Sequence, residues 1–315
     1  MTTSTPQSWR PLDPDYRNRR GYDADFLDVA VPLPSLAPTV QHLATLPPLP
    51  YQHFSILLNP ARRLAFWSAV NIDGRQERHL GQRQPDEWWF DERQGFTPRI
   101  TAALQIGDGF YRGSGFQRGH LVRRLDPAWG ETDVQSGRGE ADTFHWTNCS
   151  PQMPELNTGW WLQVEDHLLQ TANAQDHKVS VFSGCVFGDG DPLYRGVQIP
   201  LAFWKVAAWT VATPGEPALR SLAFLVKQDE AVAALLRKRG VTPQARDFDE
   251  VPQSIQGYQT TVAELSRLTH CGFGDLARAD VDVYARRRPT RLAPLVFDTI
   301  GTYRALASPA DLFTQ

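Results

Sequence analysis

Residues 111–130 read YRGSGFQRGHLVRRLDPAWG, and residues 141–169 read ADTFHWTNCSPQMPELNTGWWLQVEDHLL. The first stretch places His120 after a glycine-rich loop and directly before an apolar strand start. In the second stretch, Trp161, Val164 and Leu168 recur at the spacing of one apolar helix face, which predicts a helix over 157–172. The polar residues of this region therefore fall on a strand and a helix that are close in sequence.

The rest of the chain reads as strands separated by turns, with few helices. We expect further helices over 230–238 and 261–268, and a hairpin-type turn in the NIDG sequence at 71–74. A body rich in strands with a few helices predicts an α+β fold. The predicted strands are 63–70, 178–186, 197–212 and 220–227.

Residues 1–50 differ in composition from the remainder. The segment 31–50 holds six prolines, and proline fixes φ and removes a backbone donor. We therefore expect an N-terminal extension over 1–50, wrapped on a main domain over 51–315. A regulatory or partner-docking role for this extension and a plain surface role both stay open.

Composition excludes several classes of protein. The chain has 315 residues, 41% hydrophobic residues and a net charge of -3, which is ordinary globular composition without a global basic excess. No run of 18 apolar residues and no apolar leader segment is present, so we expect no membrane span and, by default, a cytoplasmic protein. Three separated cysteines predict reduced buried thiols, since their spacing fits no metal site.

Three polar residues of the opening stretches are candidates for chemistry. Imidazole titrates near neutral pH, so His120 is placed to act as a general base. In a regular helix, Asn157 and Glu165 would lie roughly 12 Å apart along the axis and about 80° apart in rotation. They would not share one ion directly. A helix N-cap for Asn157 and a solvated charge for Glu165 are the alternatives.

The order of these motifs resembles that of a known family. RGH, then a TN-x-x-PQ turn, then LN-x-x-x-W and a glutamate eight residues after the asparagine resemble the DNA/RNA non-specific endonuclease family of the ββα-metal superfamily. Weaker similarity extends from about residue 51 to about residue 280. The resemblance implies a central antiparallel sheet with flanking helices and a ββα-metal finger that carries the active site.

The resemblance also implies roles for individual residues. His120 would activate water, Arg118 would stabilise the transition state, and Asn148 would support the histidine or the phosphate-binding turn. Asn157 would bind a divalent ion directly, and Glu165 would hold water bound to that ion. The candidate substrate-binding residues are Arg62, Arg63, Arg123 and Arg124.

The implied cofactor is Mg²⁺, with Mn²⁺ or another divalent ion as alternatives. The implied substrates are DNA and RNA, cut with little sequence preference to leave 5′-phosphate ends. An inhibitor or activating protein partner and a homodimer stay open. One residue departs from the family pattern, because Gln117 stands where Asp-Arg-Gly-His is usual. Two alternatives therefore accompany the nuclease: a catalytically weak nucleic-acid-binding module, and a nuclease subunit gated by a partner.

Overall fold

The fold is described from a computed structural model covering residues 15–44, 46–78, 86–95, 99–174, 177–241, 255–281 and 304–306. The strands are β1 (Ser35–Leu36), β2 (Leu49–Pro50), β3 (Phe54–Asn59), β4 (Leu64–Asp73), β5 (Gln117–His120), β6 (Cys149–Gln152), β7 (Lys178–Val186), β8 (Leu193–Tyr194), β9 (Val197–Gln198), β10 (Ala202–Val211), β11 (Ala218–Lys227), β12 (Gln256–Thr260), β13 (Cys271–Gly272) and β14 (Arg304–Ala305). The α-helices are α1 (Pro38–Gln41), α2 (Asp108–Tyr111), α3 (Asp133–Asp142), α4 (Leu162–Ala174), α5 (Asp229–Lys238), α6 (Val262–Thr269) and α7 (Leu276–Ala279). Single 3-10 turns occur at Tyr16–Asn18, Ala102–Leu104 and Trp146–Asn148, and a π-helical turn at Leu156–Trp161.

An eight-stranded antiparallel sheet forms the body, in the order β14-β12-β11-β10-β7-β4-β3-β2. Its central strands are nine or ten residues long and mostly buried. The predicted antiparallel sheet and α+β class are confirmed. The four predicted strands correspond to β4, β7, β9 with β10, and β11.

The turn predicted at 71–74 is wrong, because Asn71, Ile72 and Asp73 continue β4 and pair with β7. The polar side chain of Asn71 is satisfied inside the sheet. Its Nδ2 donates to Ser180 Oγ at 3.1 Å, and its Oδ1 accepts from the backbone of Asp23 at 2.7 Å. Long-range pairing thus overrides a local turn signal.

Two hydrophobic clusters cover the two faces of the sheet. Alternate residues of β10 show this, because Phe203 belongs to one cluster and Trp204 to the other. The first cluster includes residues of α4, α5 and the β5–β6 pair. The second includes residues of α6, α7 and the segment 22–31. The candidate site therefore lies on one face, and α6 and α7 lie on the other.

The described part of the N-terminal segment packs against the body. Leu27 and Val31 are buried in the second cluster, and β1 pairs with β13. Arg19 forms a bidentate ion pair with Asp142, at 2.8 and 3.0 Å, with both side chains 1% exposed. The domain division at residue 50 stays a prediction.

Three further predictions concern two helices, the cysteines and membrane spans. The helices predicted over 230–238 and 261–268 are confirmed as α5 and α6. The three cysteines are free and buried. Among the described residues, every helix is too short or too polar to cross a membrane.

Candidate active site

The site is built on the short antiparallel pair of β5 and β6. Gln117 lies opposite Gln152, and His120 lies opposite Cys149. The glycine between Arg118 and His120 is required by packing, because a Cβ on Gly119 would overlap the side chain of Gln152. β5 therefore presents its polar side chains at fixed positions beside the buried strand β6.

His120 ends β5 and is half-buried among aromatic rings. Its ring centroid lies 4.6 Å from that of Trp88 and 4.9 Å from that of Phe144. Its backbone carbonyl accepts a hydrogen bond of 3.0 Å from Nε1 of Trp161. The aromatic frame fixes the imidazole, and Trp161 ties β5 to the start of α4.

Asn148 ends the 3-10 turn directly before β6 and is fully buried. Its Oδ1 accepts from the backbone N–H of Val122, and its Nδ2 donates to the carbonyls of Val122 and Thr143, all at 2.9 Å. Its own carbonyl accepts from the backbone of Leu121 at 3.0 Å. Asn148 thus holds the backbone that directly follows His120, and its role in catalysis stays a prediction.

Asn157 lies inside the π-helical turn, so the N-cap alternative for this residue is wrong. Gly159 interrupts the helix with φ -104° and ψ -110°, values outside the helical region. The helical arithmetic between Asn157 and Glu165 therefore does not apply. A π-turn inside a helix is a frequent feature of functional sites.

Gln117 contacts the predicted metal ligand directly. Its Oε1 accepts a hydrogen bond of 2.8 Å from Nδ2 of Asn157. Because the nitrogen of Asn157 is bound to Gln117, the amide oxygen is the atom that can face a cation. β5 thereby joins both predicted residues: it carries His120 at one end and holds Asn157 at the other.

Glu165 is buried at the start of α4 and faces a lysine from the sheet. Its Oε1 lies 3.1 Å from Nζ of Lys205, which is 2% exposed. Nζ also donates to the Leu121 carbonyl at 3.1 Å and to Ser183 Oγ at 2.9 Å. Burial raises the pKa of Glu165 to about 7, against the opposing effect of Lys205. Burial likewise raises the pKa of nearby Asp126 to about 6.

Arg118 lies on the exposed side of β5. Its guanidinium lies over the rings of Trp146 and Tyr111, at 5.9 and 6.0 Å, and pairs with Asp108. Hydrogen bonds from Arg118, and then from Arg112, lower the pKa of Asp108. Trp88 stacks on Trp146, so the Arg118 and His120 side chains share one aromatic wall.

Each of the four arginines predicted to bind substrate has a different partner in the structure. Arg62 is tied to Asp191 at 3.0 Å, and Arg124 to Glu140 at 2.6 Å. Arg123 pairs with Asp166, one residue after Glu165. Arg63 donates to the carbonyl of Gly196 at 2.7 Å. The substrate contacts of these arginines stay a prediction.

Sequence reasoning missed two residues at this site. Lys205 lies in AFWKVAAW, at a position that shares a sheet face with Phe203 and Ala207, and a lysine on a buried face is the signal. Gln152 closes the TN-x-x-PQ turn and is fully buried. Within the described part of the chain, neither atom of its amide has a hydrogen-bond partner. A buried amide without hydrogen bonds costs free energy, and this one packs directly against Gly119.

The residues present fit a weakly held, hydrated divalent cation. Across the described ranges, no three His, Cys, Asp or Glu side chains cluster to make a conventional metal site. Asn157 instead supplies one neutral oxygen. Mg²⁺ keeps several waters and is commonly held by one or two protein oxygens together with substrate phosphate. Asn157 would hold such an ion, which when bound would polarise the phosphate and stabilise the leaving oxygen.

Comparisons with known proteins point to one family. The sequence profile described as DNA/RNA non-specific endonuclease matches residues 41–280. An uncharacterized protein, y4fB, of Sinorhizobium fredii is 38% identical over 279 residues, which are 82% of this chain and 40% of that protein. Human mitochondrial endonuclease G is 28% identical over 167 residues, or 49% of this chain and 52% of that protein. A nuclease of Nostoc sp. is 26% identical over 186 residues, or 58% and 60% of the two chains.

Among solved structures, the crystal structure of the EndoG/EndoGI complex is similar with a TM-score of 0.49 and 15% identity. The match covers 73% of this chain and 86% of that one. The chain spans about half the length of the curated relatives that it matches.

Proposed function

Because this chain belongs to the DNA/RNA non-specific endonuclease family, we propose that it is a metal-dependent endonuclease that hydrolyses phosphodiester bonds of DNA and RNA with little sequence preference. The observation that carries the proposal is the role of β5. This one strand bears His120 and, through Gln117, holds the amide of Asn157. Hydrolysis of a phosphodiester requires a base and a cation ligand at fixed relative positions, and the contact between Gln117 and Asn157 links the two.

His120 takes a proton from the attacking water in this proposal. Its ring is held by Trp88 and Phe144, so its orientation does not depend on the substrate. Arg118 offers its guanidinium to the charge that develops on the phosphate, since substrate oxygens would compete with Asp108 for it. Asn148 keeps the backbone after His120 in place.

Asn157 is the proposed direct ligand of Mg²⁺ or a similar divalent ion. Glu165 lies in the first turn of α4, four residues after the π-helical turn ends, and its carboxylate is paired with Lys205. We propose that Glu165 orients water around the ion, and that product strands carry 5′-phosphates. The candidate substrate-binding residues Arg62, Arg63, Arg123 and Arg124 would bind neighbouring phosphates, which adds affinity without reading bases.

The test is degradation of supercoiled plasmid and of RNA by purified protein with Mg²⁺, with EDTA, and after His120→Ala. We expect cleavage that requires the metal and the histidine, with ends that a ligase accepts without prior phosphorylation.

A catalytically weak binding module is the second candidate, because Gln117 replaces an acidic residue at the contact with Asn157. That candidate predicts binding without turnover in every metal, with or without His120.

A further inference from the structure

Three arginines donate hydrogen bonds to backbone carbonyls of two neighbouring segments, the loop that precedes β5 and the turn between β8 and β9. Arg195 donates to the carbonyls of Phe110 and Arg112, at 3.0 and 2.8 Å, and to that of Gly113 at 3.1 Å. Arg239, at the C-terminal end of α5, donates to the same Gly113 carbonyl at 3.2 Å. Arg63 donates to the carbonyl of Gly196. We call Arg63, Arg195 and Arg239 the Gly113 surface.

The charge of this surface is not cancelled by the bonds that hold it. The acceptors named above are backbone carbonyls, which carry no net charge. The arginines at 62, 123 and 124, in contrast, are paired with carboxylates. Arg195 and Arg239 are exposed, so the Gly113 surface presents fixed positive charge to solvent on a chain whose net charge is -3.

The backbone at the surface is held in an unusual conformation. Arg195 has a φ of +49° and Gly196 a φ of +73°, in the two-residue turn between β8 and β9. Glycine or asparagine suits such a turn, and a long side chain there costs free energy. An arginine is nevertheless present. We take this strained arginine as a sign that its guanidinium has a function outside the turn.

The surface is rigidly connected to the candidate site. A Cβ on Gly115 would overlap Leu235 of α5, so α5 packs directly on the loop that enters β5. Asp108 links Arg112 to Arg118, and Arg118 lies two residues before His120. Gly113 precedes His120 by seven residues, so their Cα atoms lie at most about 25 Å apart. A strand of duplex DNA advances about 3.4 Å per phosphate, so this span covers about seven nucleotides at most.

We propose that the Gly113 surface binds the phosphate backbone of the substrate several nucleotides to one side of the phosphate that is cut. This inference rests on the proposed nuclease function and adds a direction to it. Contacts to phosphates position a strand without reading its sequence. The surface would therefore raise the affinity for long substrates and leave base preference unchanged.

The first test measures binding of a fluorescent 30-base-pair duplex to protein carrying His120→Ala, over a series of salt concentrations. The double variant Arg195→Gln/Arg239→Gln should reduce the slope of log affinity against log salt by about 1.8, the value for two lost phosphate contacts. Arg195→Lys/Arg239→Lys keeps both charges and should retain most of the slope. The control is Arg267→Gln/Arg278→Gln, two exposed arginines of α6 and α7 on the other face of the sheet, which should keep the full slope.

The second test compares kcat/KM on the duplex with kcat/KM on bis(p-nitrophenyl) phosphate, which fills only the immediate site. The ratio should fall about tenfold in Arg195→Gln/Arg239→Gln, equivalent to about 1.4 kcal/mol of lost substrate binding. An unchanged ratio with an unchanged salt slope would overturn the proposal, as would an equal loss in the lysine variant. If the unmodified protein cleaves neither substrate, the nuclease function fails, while the salt slopes still decide whether the surface binds phosphates.

Discussion

The side-chain Oε1 of Gln117 accepts a hydrogen bond of 2.8 Å from the side-chain Nδ2 of Asn157. The residue that departs from the family pattern thus touches the predicted cation ligand. An aspartate at 117 can only accept, and would hold the nitrogen of Asn157 toward itself. A glutamine can also donate, so it allows the reversed amide pair, in which the oxygen of Asn157 is turned toward Gln117 and lost to the ion.

This relationship predicts how position 117 controls metal affinity. Gln117→Glu, which keeps the shape and accepts only, should tighten Mn²⁺ binding by about tenfold, through a fixed Asn157 amide and an added negative charge. Gln117→Leu should weaken it. Both are measured by electron paramagnetic resonance titration on protein carrying His120→Ala, so that turnover plays no part. Equal Mn²⁺ affinity in Gln117→Leu and the unmodified residue would show that the amide contact does not position Asn157.

A second prediction concerns the buried pair of Glu165 and Lys205, joined at 3.1 Å. Lys205→Met removes one partner and leaves Glu165 buried opposite an apolar side chain, which should cost about 3–5 kcal/mol of unfolding free energy. Lys205→Met/Glu165→Leu removes both charges and should recover most of that loss. Urea unfolding of the single and double variants measures the coupling. A double variant no more stable than Lys205→Met would mean that lost packing, rather than charge, destabilises the protein.

A third prediction concerns the N-terminal segment. Arg19→Met leaves Asp142 buried without its bidentate partner and should destabilise the fold by about 3–5 kcal/mol. Arg17→Met is the matched control, because Arg17 is 91% exposed and pairs only with neighbouring Asp15 in the contacts described, so its unfolding midpoint should not move. Deletion of residues 1–48 removes Arg19 as well. A loss of activity after that deletion could therefore come from a destabilised fold. It reports on a separate role of the segment only if the shortened protein unfolds at the same urea concentration as the full chain.

The acid stability of the protein should depend on His53. Its Nδ1 donates to the Pro127 carbonyl at 3.1 Å, its Nε2 accepts from Gln52 at 2.8 Å, and its ring stacks on Trp129. This neutral form is half-buried, and its loss of contact with water lowers the pKa of His53 from 6.5 to about 4. The unfolded chain therefore binds the proton first.

Stability from His53 is fully present above pH 6.5 and is lost as the pH falls through 4. Between pH 6.5 and pH 4, the slope of this loss approaches about 1.4 kcal/mol per pH unit. His53→Asn tolerates the positive φ of this position and should flatten the slope, as measured by urea unfolding at successive pH values. The two proteins should show parallel curves between pH 7 and 8. If the two curves also stay parallel below pH 6, His53 does not contribute to the loss of stability in acid.

The sequence was sufficient for elements with a strong periodic pattern. The strand over 178–186 and the helix over 230–238 have apolar residues at the spacing of one buried face, and both lie where they were predicted. It was insufficient where distant residues decide. Asn71 reads as a turn residue, yet it stays in β4 because Ser180 and Asp23 satisfy its amide.

The candidate site shows the same division. The motif order predicts candidate residues, but it does not predict the π-turn, in which the backbone of Gly159 leaves the helical region. The partner of Glu165 comes from a strand about 40 residues later in the chain, and no local pattern connects the two. The contact between Gln117 and Asn157 also spans 40 residues and becomes visible only in three dimensions.

The most direct test of the central claim separates binding from chemistry at His120. Cleavage rate and affinity for one 30-base-pair duplex are measured for the unmodified protein and for His120→Ala, in Mg²⁺ and in EDTA. We expect Mg²⁺-dependent cleavage that His120→Ala slows by a factor of about 10²–10⁴, with duplex affinity unchanged. Cleavage by His120→Ala at the unmodified rate, or cleavage that persists in EDTA, would contradict it.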